Sequence, residues 1–232
     1  MSTSLELPEI EIIRRDLERD VAGRKIKNAE IASLTLLPRY KSRKAFTDSL
    51  LGQKIYSARR AGLALVLIMK NDYLVMKIGD GAFFERVAAK AKVTKGTQFT
   101  INFTQGGQLR LVDPEGNSEI CVVPSDDLFE EMPELTGLGM DPIADPIPFP
   151  SFAGAVLGRS VDLKELLCDD EVILGVGDIY SDEILFASGL KHDRASDSLS
   201  TQEIRRLHRA LVEIIHDGLR YKGTHLEERP FN

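Results

Sequence analysis

The chain has 232 residues, 43% of them hydrophobic and 28% charged, with two cysteines and a formal net charge of -6. This composition fits a folded chain of one large or two small domains. No run reaches the ~18 consecutive apolar residues of a membrane span, and the start lacks a basic-then-apolar signal, so a cytoplasmic protein without membrane contact is expected. Cys121 and Cys168 form no CxxC pair, which argues against a disulfide framework or a cysteine-rich metal site and for buried reduced thiols.

The modest net charge hides an asymmetry. Residues 1–112 carry 20 Lys and Arg against 11 Asp and Glu, and the remainder carries 10 against 25. Such a split points to two domains with different partners. The basic half tolerates a polyanion, whereas the acidic half repels one.

In chain order, Leu5-Glu6-Leu7-Pro8-Glu9-Ile10-Glu11 leads into a helix with Pro8 in its first turn and Ile10, Ile13, Leu17 and Val21 on one face, ending at Gly23. Its acidic start suits the helix dipole. From Lys25 to Val123 the pattern changes to short β-like segments at 54–61, 63–70, 73–78, 97–103 and 108–113. Asn71-Asp72 and Gln105-Gly106-Gly107 separate neighbouring segments as hairpin turns do. Residues 124–150 hold six of the ten prolines, too many missing N–H donors for regular structure, and are expected to form a linker.

Beyond the linker the chain reads as helical at 152–157 and 161–168. Next comes Glu171-Val172-Ile173-Leu174-Gly175-Val176-Gly177-Asp178, an apolar run broken by Gly-x-Gly and resumed as an amphipathic helix with Ile179, Ile184, Leu185 and Ala187 at helical spacing. Two helices meeting at a tight glycine turn are expected, with Asp178 as N-cap and turn amides that offer a seat for phosphate. An ordinary helical hairpin with a glycine corner is the plainer alternative. The last helix opens with the capping box Ser200-Thr201-Gln202-Glu203 and carries Ile204, Leu207, Leu211, Ile214 and Leu219 on its inner face. The fold class is therefore α+β, a β-sandwich with an N-terminal helix over residues 1–123 followed by an all-α domain over 151–232.

The order of these motifs resembles the formamidopyrimidine-DNA glycosylase and endonuclease VIII family of base-excision repair enzymes. Leu5 to Glu11 is similar to the family's opening P-E-L-P-E-V-E, and Ser57-Ala58-Arg59-Arg60-Ala61-Gly62 falls where the family has R-R-G-K. Asp113-Pro114 falls at the D-P-R-R-F-G loop, and Lys164 to Arg194 resembles the helix-two-turn-helix signature I-K-x-x-L-L-D-Q followed by G-I-G-N-x-Y-x-x-E-I-L. The resemblance implies a fold that flips a damaged base out of duplex DNA. It also implies attack by an N-terminal proline amine through a Schiff base, proton shuttling by the adjacent glutamate, and a lysine after the paired arginines that contacts the DNA backbone. Two loops fill the gap left by the flipped base, and a C-terminal four-cysteine zinc finger grips the duplex.

This sequence departs from the family at those functional positions. Leu5 stands at the nucleophile's place, behind Met1-Ser2-Thr3-Ser4, and Gly62 replaces the turn lysine. Lys77-Ile78-Gly79-Asp80 aligns with H-L-G-M, Glu115-Gly116 replaces the paired arginines after Asp-Pro, Asp178 replaces a phosphate-binding asparagine, and Asp170 replaces a glutamine. No four-cysteine set exists in the sequence, so neither zinc nor another cofactor is expected. The carried-over catalytic candidates are Glu6 and Glu9, and the DNA-binding candidates are Arg59, Arg60, Lys164 and Tyr180. The expected protein is a catalytically degenerate member that binds damaged duplex DNA weakly. The alternatives are a working glycosylase with a rebuilt nucleophile, such as the Ser2 amine or Lys77, and a pseudo-enzyme that binds a basic protein partner.

Overall fold

The computed structural model describes residues 5–223. Met1 to Ser4, with the Ser2 amine, and Thr224 and His225 lie outside them. Backbone contacts divide the chain into two compact units: Leu5 and Ile10–Pro133 belong to the first, and Glu6–Glu9 with the chain from Glu134 to the second. No helix of the described residues is long and apolar enough to cross a membrane.

Helix α1 spans Leu7–Val21. Pro8 lies in the first turn, where a missing N–H costs no helical hydrogen bond, and Ile10, Ile13, Leu17 and Val21 are all buried as their spacing requires. The strands that follow are β1 Ile26–Ile31, β2 Ser57–Ala61, β3 Ala64–Ile68, β4 Asp72–Lys77, β5 Phe83–Val87, β6 Thr97–Phe103, β7 Gln108–Val112 and β8 Glu119–Pro124. They form two four-stranded antiparallel sheets, ordered β1-β6-β7-β5 and β2-β3-β4-β8. Residues of both sheets, α1 and helix α2 (Arg43–Leu50) share one core, in which Phe46 meets Phe99 at 5.6 Å between ring centroids.

The three strands absent from the sequence reading, β1, β5 and β8, all lie at sheet edges. Edge strands face solvent along one side and carry charges that blunt further pairing. Lys27, Glu30, Glu85 and Arg86 interrupt the alternation of β1 and β5, while β8 is a short apolar run that follows Glu119. Helix α2 was also absent from that reading, because about two turns with two buried residues, Phe46 and Leu50, give too short a period to detect.

Residues 124–150 are more ordered than a linker. A 3-10 turn at Ser125–Asp127, helix α3 at Leu128–Glu131 and a second 3-10 turn at Pro133–Leu135 punctuate them, and Leu128, Met132, Leu135 and Ile147 are buried. Proline opens several of these pieces, where it lacks nothing that the turn needs.

The second unit holds α4 Phe149–Leu157, α5 Leu163–Leu167, α6 Asp178–Ser188 and α7 Thr201–Arg220 around an apolar core that includes Phe152, Leu167, Ile173, Ile184, Leu207 and Leu211. The capping box of α7 forms with both reciprocal bonds. Its inner face uses Ile215 in addition to the expected positions, and Ile214 and Leu219 are half-buried. One expectation fails: the apolar run before the glycine turn is not a helix. Ile173 instead pairs with Met140 in a parallel bridge, with Met140 N–H donating to Val172 O and Leu174 N–H to Met140 O. A short buried apolar run suits strand or helix equally, and positive φ at Gly175 (+67°) ends it.

Candidate functional site

Helix α6 begins at Asp178, and its N-cap, Gly177, has no side chain to satisfy the first amides. A carboxylate from the other end of the second unit's sequence does so. Glu6 Oε2 accepts from Gly177 N–H at 2.7 Å and Tyr180 N–H at 3.2 Å, and Oε1 accepts from Ile179 N–H at 2.8 Å. The first helical N–H groups have no partner within the helix, and an anion there also meets the positive end of the dipole. Gly177 is required for this approach, because a Cβ at that position would sit 2.7 Å from the Glu6 carboxyl carbon. The Leu7 N–H donates to Gly175 O at 2.8 Å and fixes the entry of α1 beside the turn.

Glu6 is 4% exposed. Burial raises its pKa above the ordinary 4.5 despite the three amide donors, with the nearby Glu9 carboxylate adding to the rise. Glu9 is fully buried and accepts from the Tyr180 hydroxyl at 2.9 Å. Tyr180, 3% exposed, is held protonated by burial and by the two glutamates. The backbone at Gly218 passes the Tyr180 ring, and that at Gly223 passes Glu9. Glu6, Glu9 and Tyr180 thus form one buried polar cluster. The phenol's only hydroxyl faces a carboxylate, not solvent.

Two expectations are corrected at this turn. Asp178 does not cap α6; it occupies the first helical position with its side chain 89% exposed. The turn amides at 177, 179 and 180 offer no vacant seat for phosphate, because Glu6 already holds them. Asp170 is exposed, yet its Oδ1 accepts from Gly175 N–H at 2.7 Å, so its carboxylate shapes the turn. Lys164 lies at the surface between two acids, with Nζ 2.8 Å from Asp182 and 3.3 Å from Asp178. The hydrogen bond that Lys164 donates to Asp182 is the main cause of its raised pKa.

In the first unit, Leu5 is half-buried and packs on the apolar core. Arg59 is exposed on β2. Arg60, next to it, points the other way: its side chain is 7% exposed, Nε donates to Glu11 at 3.2 Å and Nη1 to Gly62 O at 2.9 Å. Glu11 also receives Arg14 and Arg15. Burial alone would raise its pKa, but the three arginines outweigh burial and lower it.

The two loops at 78–81 and 113–118 are tied together. Asp113, fully buried, accepts from Gly116 N–H and Ser118 N–H, each at 2.8 Å, while Ser118 Oγ accepts from Gly79 N–H at 3.0 Å. Glu115 is left exposed at the loop tip. Sequence reasoning missed the roles of Asp113, Ser118 and Asp170. An Asp-Pro-x-Gly string is a local signal for the first, since Asp side chains accept from amides a few residues on; the other two carry none.

The comparisons with known proteins agree with this geometry. Residues 5–119 match the formamidopyrimidine-DNA glycosylase N-terminal domain, and residues 138–229 match the formamidopyrimidine-DNA glycosylase H2TH domain. The formamidopyrimidine-DNA glycosylases of Pelobacter propionicus and Geobacter metallireducens are each 30% identical over 228 residues, covering 96% of this chain and 82% of the relative. The chain also superposes on Lactococcus lactis Fpg solved with DNA containing an abasic site, with TM-score 0.87 and 21% identity over 96% of this chain and 81% of that one. A complex of the wild-type Lactococcus lactis protein with oxidised-pyrimidine DNA gives TM-score 0.86 and 22% identity over 95% and 82%. With both halves matched in order and the amides of the helix-two-turn-helix turn held by the glutamate of the opening motif, the chain belongs to the formamidopyrimidine-DNA glycosylase and endonuclease VIII family.

Proposed function

We propose that this family member binds duplex DNA weakly and does not excise bases. The observation that carries this reading is Leu5. It is the first residue matched to the N-terminal domain and stands where the family's resemblance requires a proline amine, yet its side chain is apolar, half-buried and packed on the core. A leucine inside a peptide bond offers no amine for a Schiff base. The glutamate next in line acts as a helix cap, with both oxygens committed to backbone amides. A general acid or base without a nucleophile to serve has no step to catalyse.

DNA as partner is supported by the Lactococcus lactis relatives, which are solved with abasic-site and oxidised-pyrimidine duplexes. Of the four carried-over DNA-binding candidates, Arg59 alone is exposed. Arg60 is committed to Glu11, Lys164 is neutralised by Asp178 and Asp182, and Tyr180 is buried, so these three contribute through the fold instead of by direct contact. Few phosphate contacts mean low affinity and a shallow salt dependence. No stoichiometric zinc is expected, because the sequence's two cysteines cannot compose a four-cysteine site.

Borohydride trapping on an abasic-site duplex tests the reading, together with fluorescence anisotropy across a salt series. The expected result is no covalent adduct and weak binding that weakens further in Arg59→Ala. A trapped adduct that disappears when Lys77 is replaced or the terminal amine is blocked would restore a working glycosylase. Indifference to DNA at low salt would point to a protein-interaction role.

A further inference from the structure

Strand β6 ends at Phe103, and two arginines from separate segments converge on its ring. Arg24, in the turn after α1, places Cζ 5.6 Å from the ring centroid, and Arg86, in β5, places Cζ 5.2 Å from it. The two guanidinium carbons therefore lie no farther apart than those two distances together. Both side chains are half-buried. A cation on an aromatic face is favourable, but two on one ring repel each other unless something neutralises them.

Among the described residues no carboxylate forms an ion pair with either guanidinium. Arg24 donates through Nε to Asp20 O at 2.7 Å and through Nη1 to Gly106 O at 3.4 Å. Arg86 donates through Nη1 to Gln108 O at 2.9 Å and Val87 O at 3.3 Å. All four acceptors are neutral backbone carbonyls, and among the described residues neither guanidinium has a carboxylate within ion-pair distance. By contrast, Arg14, Arg60 and Arg194 each meet a glutamate. Asp20, whose charge also acts on Arg86, has its carboxylate on Arg19 at 3.1 Å. Burial and the Arg24 charge push the Arg86 pKa down, and the Asp20 carboxylate offsets them only in part. Arg24 Nη2 and Arg86 Nε and Nη2 remain without an acceptor among the described residues.

The surroundings add positive charge. Lys25 pairs with Lys54 across an antiparallel bridge, its carbonyl accepts from Thr104 N–H at 2.9 Å, and Lys27 follows in β1; all three lysine side chains are exposed. The β6–β7 turn is shaped to admit Arg86. Gly107 has φ +77°, and a Cβ there would collide with the Arg86 guanidinium.

We propose that Arg24 and Arg86, seated together on Phe103 at the β6–β7 turn, form an oxyanion site that takes a phosphate group. The planar forks of two arginines match the oxygens of phosphate in bidentate fashion, and the anion would remove the repulsion that the fold leaves standing. Such a phosphate is either a free or terminal one, or a diester of a nucleic-acid backbone. The site does not rest on the DNA-binding reading above.

The test titrates inorganic phosphate into the full chain while following the Gly106 and Gly107 amide resonances, against chloride at matched ionic strength. In parallel, binding of a duplex without terminal phosphates is followed by anisotropy. Arg24→Gln/Arg86→Gln removes both charges and the guanidinium forks while leaving a shorter, neutral amide at each position. The expected result is a saturable shift with phosphate in the parent that is weakened about tenfold in the double variant. An effect confined to inorganic phosphate assigns the site to a free or terminal phosphate. An effect confined to the duplex, with a smaller salt slope in the variant, assigns it to the backbone. If the parent shows no saturable shift with phosphate and the double variant binds the duplex as the parent does, the proposal is overturned; the parent arm stands even if the variant fails to fold.

Discussion

Each unit of the molecule uses a buried carboxylate to close a turn of backbone amides, and the two do it at different ranges. In the first unit Asp113 reaches amides three and five residues ahead and holds the loop that follows it. In the second, Glu6 reaches amides more than 170 positions away in sequence and caps α6. The local clasp needs only its own turn to be folded. The distant one forms only when the start of α1 and the helix-two-turn-helix turn are both in place, so it reports on the assembly of the whole second unit. The same carboxylate chemistry therefore serves a loop in one case and the integrity of a fold in the other.

Glu6→Ala should have the largest effect on that comparison. It leaves three helix-start amides without a partner, each costing on the order of 1–3 kcal/mol when buried, so a loss of at least about 3 kcal/mol is expected in urea unfolding. Asp113→Ala orphans two amides and should cost about 2 kcal/mol, with its effect concentrated in hydrogen exchange of residues 114–118. A Glu6→Ala variant no less stable than Asp113→Ala would erase the distinction between the two closures.

The pair also marks how far the sequence could be read. The α1 face, the capping box of α7, the central strands and the hairpin turns at 71–72 and 105–107 follow from spacing within a few residues, and all appear where that spacing puts them. Asp113 could have been found the same way. Glu6 could not, because its partners are amides whose nearness depends on the fold, and its acidic neighbourhood reads equally well as a favourable helix start. Arg60 and Tyr180 illustrate the same limit from the other side: they match the family's pattern, but only burial reveals that one serves Glu11 and the other Glu9. The edge strands β1 and β5 escaped because the charges that keep them from aggregating also break their alternation, whereas β2, also an edge, was legible.

The next effect is a pH dependence of opposite sign at two caps. The folded-state pKa of Glu6 is raised, so its proton is held more tightly in the folded protein. The stability from this group is fully present below the unfolded value near 4.5 and is lost as pH rises through the higher folded value. Glu203 behaves in reverse. The Ser200 amide and hydroxyl and then Arg194 lower its pKa to about 2, so its contribution is present above 4.5 and is lost as pH falls toward 2. Glu6→Gln should flatten the first limb of a stability–pH curve and Glu203→Gln the second. If Glu6→Gln instead removes stability that the parent gains as pH rises above 4.5, the amide donors outweigh burial and Glu6 is a cap of the ordinary anionic kind.

The smallest effect is expected at the surface of the same turn, where the second unit's charges would bear on any DNA that approaches it. Lys164 is held between Asp178 and Asp182, which together outnumber it, and Asp178 stands where the family's resemblance places a phosphate-binding asparagine. Exposed ion pairs contribute roughly 0–1 kcal/mol, so Asp178→Asn/Asp182→Asn should barely change folding stability. Its effect should appear in binding. Removing two negative charges frees the lysine to meet a phosphate, and one recovered phosphate contact adds about 0.9 to the salt slope. Duplex affinity at low salt should rise about threefold to tenfold, and adding Lys164→Gln should cancel most of the gain. Because Glu6 keeps the turn amides in every variant, the gain isolates side-chain charge from the backbone. An affinity that does not move when both aspartates are neutralised would mean that DNA does not approach this turn, leaving Arg59 and the basic first unit as the whole of the interaction.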